Sequence, residues 1–181
     1  MARTNAGLTR LTEDAGLPVQ VAAVCYRVRE LSVEFLLVNT SSGKWTFPKG
    51  RIEPSLSGSE SAALEAWEEA GAKGRIEEEF FGAYLDSKRA LGHDSRTREV
   101  MIAAYMFEVH TTVQPRETGR NPNWFTPQQA KRQLAAGRPA RYSVQIGKIV
   151  DAAVEALTVK RARTRSPLVL PDARRRAATV R

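Results

Sequence analysis

The sequence predicts an α/β fold, an α/β/α sandwich in which helices cover both faces of a mixed β-sheet. Strand-like and helix-like segments follow one another in the order β-β-loop-α-β-β-α-α, an order that suits a layered sheet. Val19–Val28 and Ser32–Asn39 are two apolar runs separated by a short charged turn, the pattern of a buried hairpin. Near the other end, Ile146, Ile149, Val150, Ala153, Val154 and Leu157 recur at helical spacing, so residues 143–157 form an amphipathic helix that packs on the body.

Taken in order, residues 1–17 read as a polar lead-in to a domain spanning 18–157. After the hairpin, Thr40–Lys44 is a turn and Trp45-Thr46-Phe47 a short strand, which Pro48-Lys49-Gly50 breaks into a loop. Ser57-Gly58-Ser59-Glu60 has the form of a capping box, with Ser at the N-cap and Glu three residues on. Helix formers continue to Ala70, and Gly71 stands where a C-terminal glycine belongs, which places a helix at 58–70. Ile76–Leu85 and Glu99–Thr112 read as strands, the second apolar enough to be central. Thr126-Pro127-Gln128-Gln129 starts a further helix, with Pro at its first position, that runs to Gly137. There are no internal repeats.

The formal charge of +8 is unevenly placed. Residues 158–181 hold eight Lys and Arg against Asp172 alone, so the rest of the chain is near neutrality. That tail lacks apolar periodicity after Lys160 and is expected to be mostly disordered. It also lacks interleaved aromatic residues, so nucleic acid is at most a weak partner through the tail. No apolar run approaches the roughly 20 residues of a membrane span, and no secretory h-region opens the chain. Cys25 is the single cysteine, which excludes an intrachain disulfide and a cysteine metal cluster, reads as a small core group, and favours a reducing, cytoplasmic setting. Nucleotide-binding GxxxxGK[ST], hydrolase GxSxG and metalloprotease HExxH motifs are absent, and His93 and His110 stand apart in the chain.

The helix at 58–70 carries the chemistry. Glu65, Glu68 and Glu69 stand at i, i+3 and i+4 and project from one face, where like charges repel. A hard divalent cation removes that cost, since Mg²⁺ takes a few carboxylates together with substrate oxygens. Ala62, Ala63, Ala66 and Ala70 let the same helix pack closely, and the Pro48-Lys49-Gly50-Arg51 turn leads into it.

Residues 50–72, GRIEPSLSGSESAALEAWEEAGA, resemble the box of the Nudix hydrolase superfamily, whose pattern is G-x5-E-x7-R-E-U-x-E-E-x-G-U with U apolar. Gly50, Glu65, Ala66, Glu68, Glu69, Gly71 and Ala72 match in register, and the flanking EFLLVNTSSGKWTFPKG and NPNWFTPQQA look like the diphosphoinositol polyphosphate phosphohydrolase-like branch. The box is divergent: Leu56 and Leu64 stand where it has Glu and Arg. In the family that arginine helps orient the helix carboxylates, and exchanging both partners of an ion pair for apolar groups can be neutral, so an apolar Leu56–Leu64 contact is expected here. The resemblance implies a Nudix fold over roughly residues 10–157 and a pyrophosphohydrolase acting on an acid anhydride. It implies Mg²⁺, with Mn²⁺ as a substitute, held by the Gly50 carbonyl, Glu65, Glu68 and Glu69. It gives catalytic roles to Glu68 and Glu69, with the identity of the general base open.

The same resemblance sets Arg10, Arg120 and Arg138 at substrate-contacting positions, and Arg27, Lys49 and Arg51 are further donors for anionic oxygens. Glu99 is a candidate extra ligand, while Trp45, Trp67 and Trp124 read as core or pocket-wall residues. The branch has a basic cluster where this chain has Pro18-Val19-Gln20, which leaves dinucleoside polyphosphates and nucleoside diphosphate derivatives as open as diphosphoinositol polyphosphates. The expected partner is a small phosphoanhydride substrate rather than a membrane. The alternative reading is a catalytically impaired binding or regulatory module, suggested by Leu56 and Leu64.

Overall fold

The computed structural model describes residues 6–30, 32–89 and 97–165, and its core is one mixed sheet between two layers of helices. The elements are α1 (Ala6–Ala15), β1 (Val19–Arg29), β2 (Ser32–Asn39), β3 (Trp45–Thr46), β4 (Lys49–Arg51) and α2 (Gly58–Ala70). They continue with β5 (Ala72–Ile76), β6 (Gly82–Arg89), β7 (Thr97–Thr112), β8 (Asn123–Phe125), α3 (Pro127–Ala135) and α4 (Ala140–Arg165). The strand order is β3-β2-β1-β7-β5, with β4 added to β1, β6 to β7 and β8 to β2. β1 and β7 pair in parallel, Val19 opposite Met101 through Tyr26 opposite Glu108, and every other pair is antiparallel. The predicted α/β/α sandwich with a mixed sheet is the observed architecture.

Both central strands are buried on both faces, which explains their nearly continuous apolar sequences. Ala22, Val24 and Tyr26 of β1, with Ile102, Ala104 and Met106 of β7, face Ala130 and Leu134 of α3 and Ile146, Ile149, Val150, Ala153 and Leu157 of α4. Val21, Ala23 and Cys25, with Ala103, Tyr105 and Phe107, face Ala62, Ala66 and Ala70 of α2. Those alanines, spaced four apart, lie on one stripe, and their short side chains let α2 sit close to the sheet.

α2 begins as its sequence predicts. The Ser57 hydroxyl accepts from the Glu60 N–H at 3.2 Å, and the Ser57 N–H donates to the Glu60 carboxylate at 2.7 Å. Gly71 ends the helix in the left-handed region at φ 62°.

Four local readings are corrected. Residues 6–15 of the polar lead-in form α1, whose Leu8 is buried against the α2 layer. The Pro48-Lys49-Gly50 break continues into β4, which pairs with β1. The strand placed at 76–85 is two strands, β5 and β6, and β8 went unread because Asn121-Pro122-Asn123 reads as a turn. α4 runs to Arg165, past Lys160, because Lys160 pairs with Glu77 and Arg161 donates to the Glu30 carbonyl at 3.2 Å. Residues 166–181 lie outside the described residues. Among the described residues no helix is long and apolar enough to cross a membrane.

Candidate active site

β4 lies along the start of β1, with Gly50 opposite Val21 and Lys49 opposite Ala22, and this pairing fixes the glycine turn beside α2. Gly50 has no side chain, and the space a Cβ would fill is taken by the Glu65 carboxylate. One helical turn on, Glu69 is 3% exposed, and its Oε2 accepts from the Lys49 N–H at 3.1 Å. The turn therefore touches two of the three helix glutamates, one through the gap at Gly50 and one through the backbone of Lys49.

Glu68 lies on the more open side. Arg116 Nη1 is 3.5 Å from its Oε1, and the Arg116 guanidinium also covers the Trp67 ring at 4.9 Å. Glu69 Oε1 is 2.6 Å from Arg120 Nη2, which is also 2.6 Å from Glu117 Oε2.

The electrostatics follow from this crowding. Burial pushes the Glu65 carboxyl up to about 7, and the nearby Glu69, Glu68 and Glu117 charges push the same way, against Arg120. Glu69 is also raised by burial, while Arg120 and the Lys49 N–H pull it down. Burial also raises the Cys25 thiol, with Glu69 adding to the effect, so Cys25 is a neutral core group.

A second polar cluster lies on the α3/α4 face of the sheet, as the strand register shows. The Lys49 ammonium is 3.1 Å from Asp86 Oδ2, and both side chains are buried. Arg138 Nε is 3.8 Å from Asp86 Oδ1, while its Nη1 donates to the carbonyls of Trp45 at 2.9 Å and Leu134 at 2.6 Å. In the same register, Gln20 of β1, Ile102 of β7 and Tyr84 of β6 stand side by side. Gln20 Oε1 and the Tyr84 hydroxyl have no hydrogen-bond partner among the described residues.

The structure thus brings Gly50, Lys49, Glu65, Glu68, Glu69 and Arg120 together. Arg51 is exposed on β4 opposite Gln20, next to Gly50 in the chain but in the register of the second cluster. Arg138 is turned inward onto Asp86 and backbone carbonyls. Arg27 is bound to Glu34 at 2.7 Å, lies 4.0 Å over Trp124, and is five residues along β1 from Ala22, roughly 16 Å at strand rise. Arg10 is exposed on α1, with no hydrogen bond or ion pair to the α2 glutamates. Glu99 accepts from the Tyr142 hydroxyl at 2.9 Å and lies 3.3 Å from Arg141, so its contacts are with α4. Leu56 and Leu64 are both half-buried. His110 is exposed on β7, and His93 lies outside the described residues.

Asp86, Arg116 and Glu117 went unread in the sequence. Asp86 acts on Lys49 from far along the chain, and the charged RETGR turn gives no local sign of where it folds back.

The donor chemistry fits a hard divalent cation: two crowded carboxylates beside a glycine turn, with a third acid one residue away. Among the described residues no three acidic, His or Cys groups are already arranged to hold an ion.

Known proteins resemble this chain in sequence and in fold. The family model of the NUDIX domain matches residues 18–145. Diphosphoinositol polyphosphate phosphohydrolase 2 of Rattus norvegicus is 29% identical over 138 residues, covering 72% of this chain and 70% of that protein. Diphosphoinositol polyphosphate phosphohydrolase 3-alpha of Mus musculus is 27% identical over 139 residues, covering 72% and 77%. Among solved structures, a C. elegans Ap4A hydrolase binary complex superposes with a TM-score of 0.58 at 20% identity, over 79% of this chain and 99% of that one. The NUDIX domain of Shewanella oneidensis NrtR complexed with ADP ribose gives 0.56 at 16% identity, over 78% and 88%. At these identities the solved structures establish a shared fold.

Proposed function

The chain belongs to the NUDIX family, and on that premise we propose that it is a Mg²⁺-dependent pyrophosphohydrolase cleaving a phosphoanhydride bond in a small anionic substrate. The observation that carries this reading is the seating of the Glu65 carboxylate in the gap at Gly50, with Glu69 tied to the Lys49 N–H one helical turn away. Gly50, Glu65 and Glu69 would hold the ion, with Glu68 as a further ligand or the base. Once bound, Mg²⁺ supplies charge neutralisation on phosphate oxygens and orients an attacking water.

The chain's own residues then have distinct tasks. Asp86 holds the Lys49 side chain, so the backbone that bonds Glu69 is anchored from the opposite face of the sheet. Glu68 is partly exposed and 3.5 Å from Arg116, which supports a role as the base that would accept a proton from a water at the open side. Arg51, exposed next to the turn, is a donor for substrate phosphate oxygens.

The substrate class is a diphosphoinositol polyphosphate, a dinucleoside polyphosphate or a nucleoside diphosphate derivative. The named relatives act on the first and on Ap4A, and a related domain was solved with ADP ribose. Incubating the full chain with members of each class and Mg²⁺, and measuring released phosphate or nucleoside monophosphate, tests the proposal. Turnover that requires the ion and is lost in Glu69→Gln is the expected result. The half-buried Leu56 and Leu64 favour a second reading, a binding module without catalysis. Binding of a pyrophosphate without turnover, unchanged by Glu69→Gln, would establish it.

A further inference from the structure

Helix α2 carries four glutamates and no basic residue, yet Glu69 is among its buried side chains. A carboxylate so deeply placed needs a cation or several donors, because little water hydrates it. The cation comes from another element. Arg120 Nη2 lies 2.6 Å from Glu69 Oε1, and the same guanidinium is fixed on its other sides. Its Nε donates to Glu117 at 2.7 Å and its Nη1 to the Asn39 carbonyl at 3.4 Å.

The backbone around it is equally constrained. The Asn39 N–H donates to the Arg120 carbonyl at 2.6 Å, and the neighbours Gly119 and Asn121 both turn through the left-handed region, at φ 79° and 46°. The segment from 113 to 120 is strapped to the end of α2. The Val113 N–H donates to the Gly71 carbonyl and the Glu117 N–H to the Glu68 carbonyl, each at 2.9 Å. Arg116 meets Glu68 from the same segment.

We propose that Arg120 is a positioning residue: held by Glu117 and the Asn39 carbonyl, it sets the Glu69 carboxylate and supplies from a loop the positive charge that α2 lacks. This assigns its donors to protein oxygens rather than to substrate phosphates. An ionised carboxylate has about four acceptor directions, so Arg120 and the Lys49 N–H leave Glu69 able to meet a metal ion while fixing which way it faces. Arg120 is at the same time a like charge beside that ion. Removing it should therefore have opposite effects on ion binding and on turnover.

The inference rests on reading α2 as the carboxylate face of a hydrolase, and its test separates the two. Mn²⁺ is titrated by electron paramagnetic resonance without substrate, and steady-state kinetics use a pyrophosphate that the wild-type chain turns over at saturating Mg²⁺. Arg120→Gln is expected to bind Mn²⁺ several-fold (about 3–10-fold) more tightly, by loss of the like charge. Its kcat is expected to fall on the order of 10–100-fold with KM within about threefold.

Arg120→Lys, which keeps the charge without the fork, should show near-wild-type Mn²⁺ affinity and an intermediate kcat. Glu117→Gln should lower kcat in the same direction, and the Arg120→Gln/Glu117→Gln pair should be no slower than Arg120→Gln alone. Circular dichroism verifies that each variant is folded, and Arg120→Lys decides if Arg120→Gln is not. A raised KM with kcat unchanged in Arg120→Gln, or faster turnover in Glu117→Gln, makes Arg120 a substrate contact and overturns the proposal. So does Mn²⁺ affinity that is unchanged or weaker in Arg120→Gln. A wild-type chain that hydrolyses no pyrophosphate refutes the hydrolase reading, and the Mn²⁺ titration still decides the role of Arg120.

Discussion

At Gly50 the missing side chain is filled by a carboxylate, so the smallest enlargement of that residue is also a displacement of Glu65. Gly50→Ala should leave the sheet intact, because β4 is short and peripheral, yet shift the Glu65 head group. A misplacement of about 1 Å in a reacting constellation costs on the order of 100-fold in rate. Steady-state kinetics beside a circular dichroism spectrum measure this, and wild-type kcat in a folded Gly50→Ala chain would be the contrary result. The titration of Glu65 gives a second expectation. Its carboxyl is lifted from its ordinary 4.5 to about 7 in the fold, so the folded chain keeps a proton that the unfolded chain has released between those values. Stability without a divalent ion therefore falls as pH rises from about 4.5 to about 7 and levels off above. Glu69 is shifted in the same direction. Melting temperatures across that window in chelator, and again in saturating Mg²⁺, test this: a flat or rising series in chelator refutes it, and the ion should flatten the decline.

Among the elements, α1 shows where local sequence fails and tertiary contact decides. AGLTRLTEDA has two leucines three apart and little else apolar, with neither an acidic first turn nor a basic last turn to mark its ends. In the fold Leu8 reaches the start of α2, where a Cβ on Gly58 would meet its Cδ2 at 2.8 Å. Leu8→Ala should cost about 2–3 kcal/mol, seen as a lower urea midpoint at an unchanged m value. A midpoint within error of wild type would mean that α1 does not contribute to the core. By contrast α2, β1, β2 and β7 were legible, because each carries a strong local signal: a capping box with a terminal glycine, or a nearly continuous apolar run. β4 and β8 were not, since Pro48-Lys49-Gly50 and Asn121-Pro122-Asn123 carry turn residues where each strand begins. The site divides along the same line. The three glutamates follow from helical spacing, whereas Asp86 and Glu117 act across 37 and 48 residues of chain on Lys49 and Glu69.

Across the whole molecule, charge is concentrated at one end of the chain. Residues 166–181 hold four arginines against Asp172, while Lys160 and Arg161 belong to α4 and are engaged with the body. Any affinity for a polyanion should therefore disappear in a chain ending at Arg165, with hydrolysis retained. A salt-dependent binding isotherm for the full and shortened chains tests this, and equal binding by both would assign the interaction to the folded body. The parallel pairing of β1 with β7 has a different consequence. It joins residues 19–26 to 101–108, so the sheet's centre closes only after some eighty intervening residues have been made. The arch over α2 and the arginine it carries come later still. A chain emerging from the ribosome can thus form its glycine turn and acidic helix early, yet Glu69 meets its arginine partner only after β7 and the turn that follows it have been made.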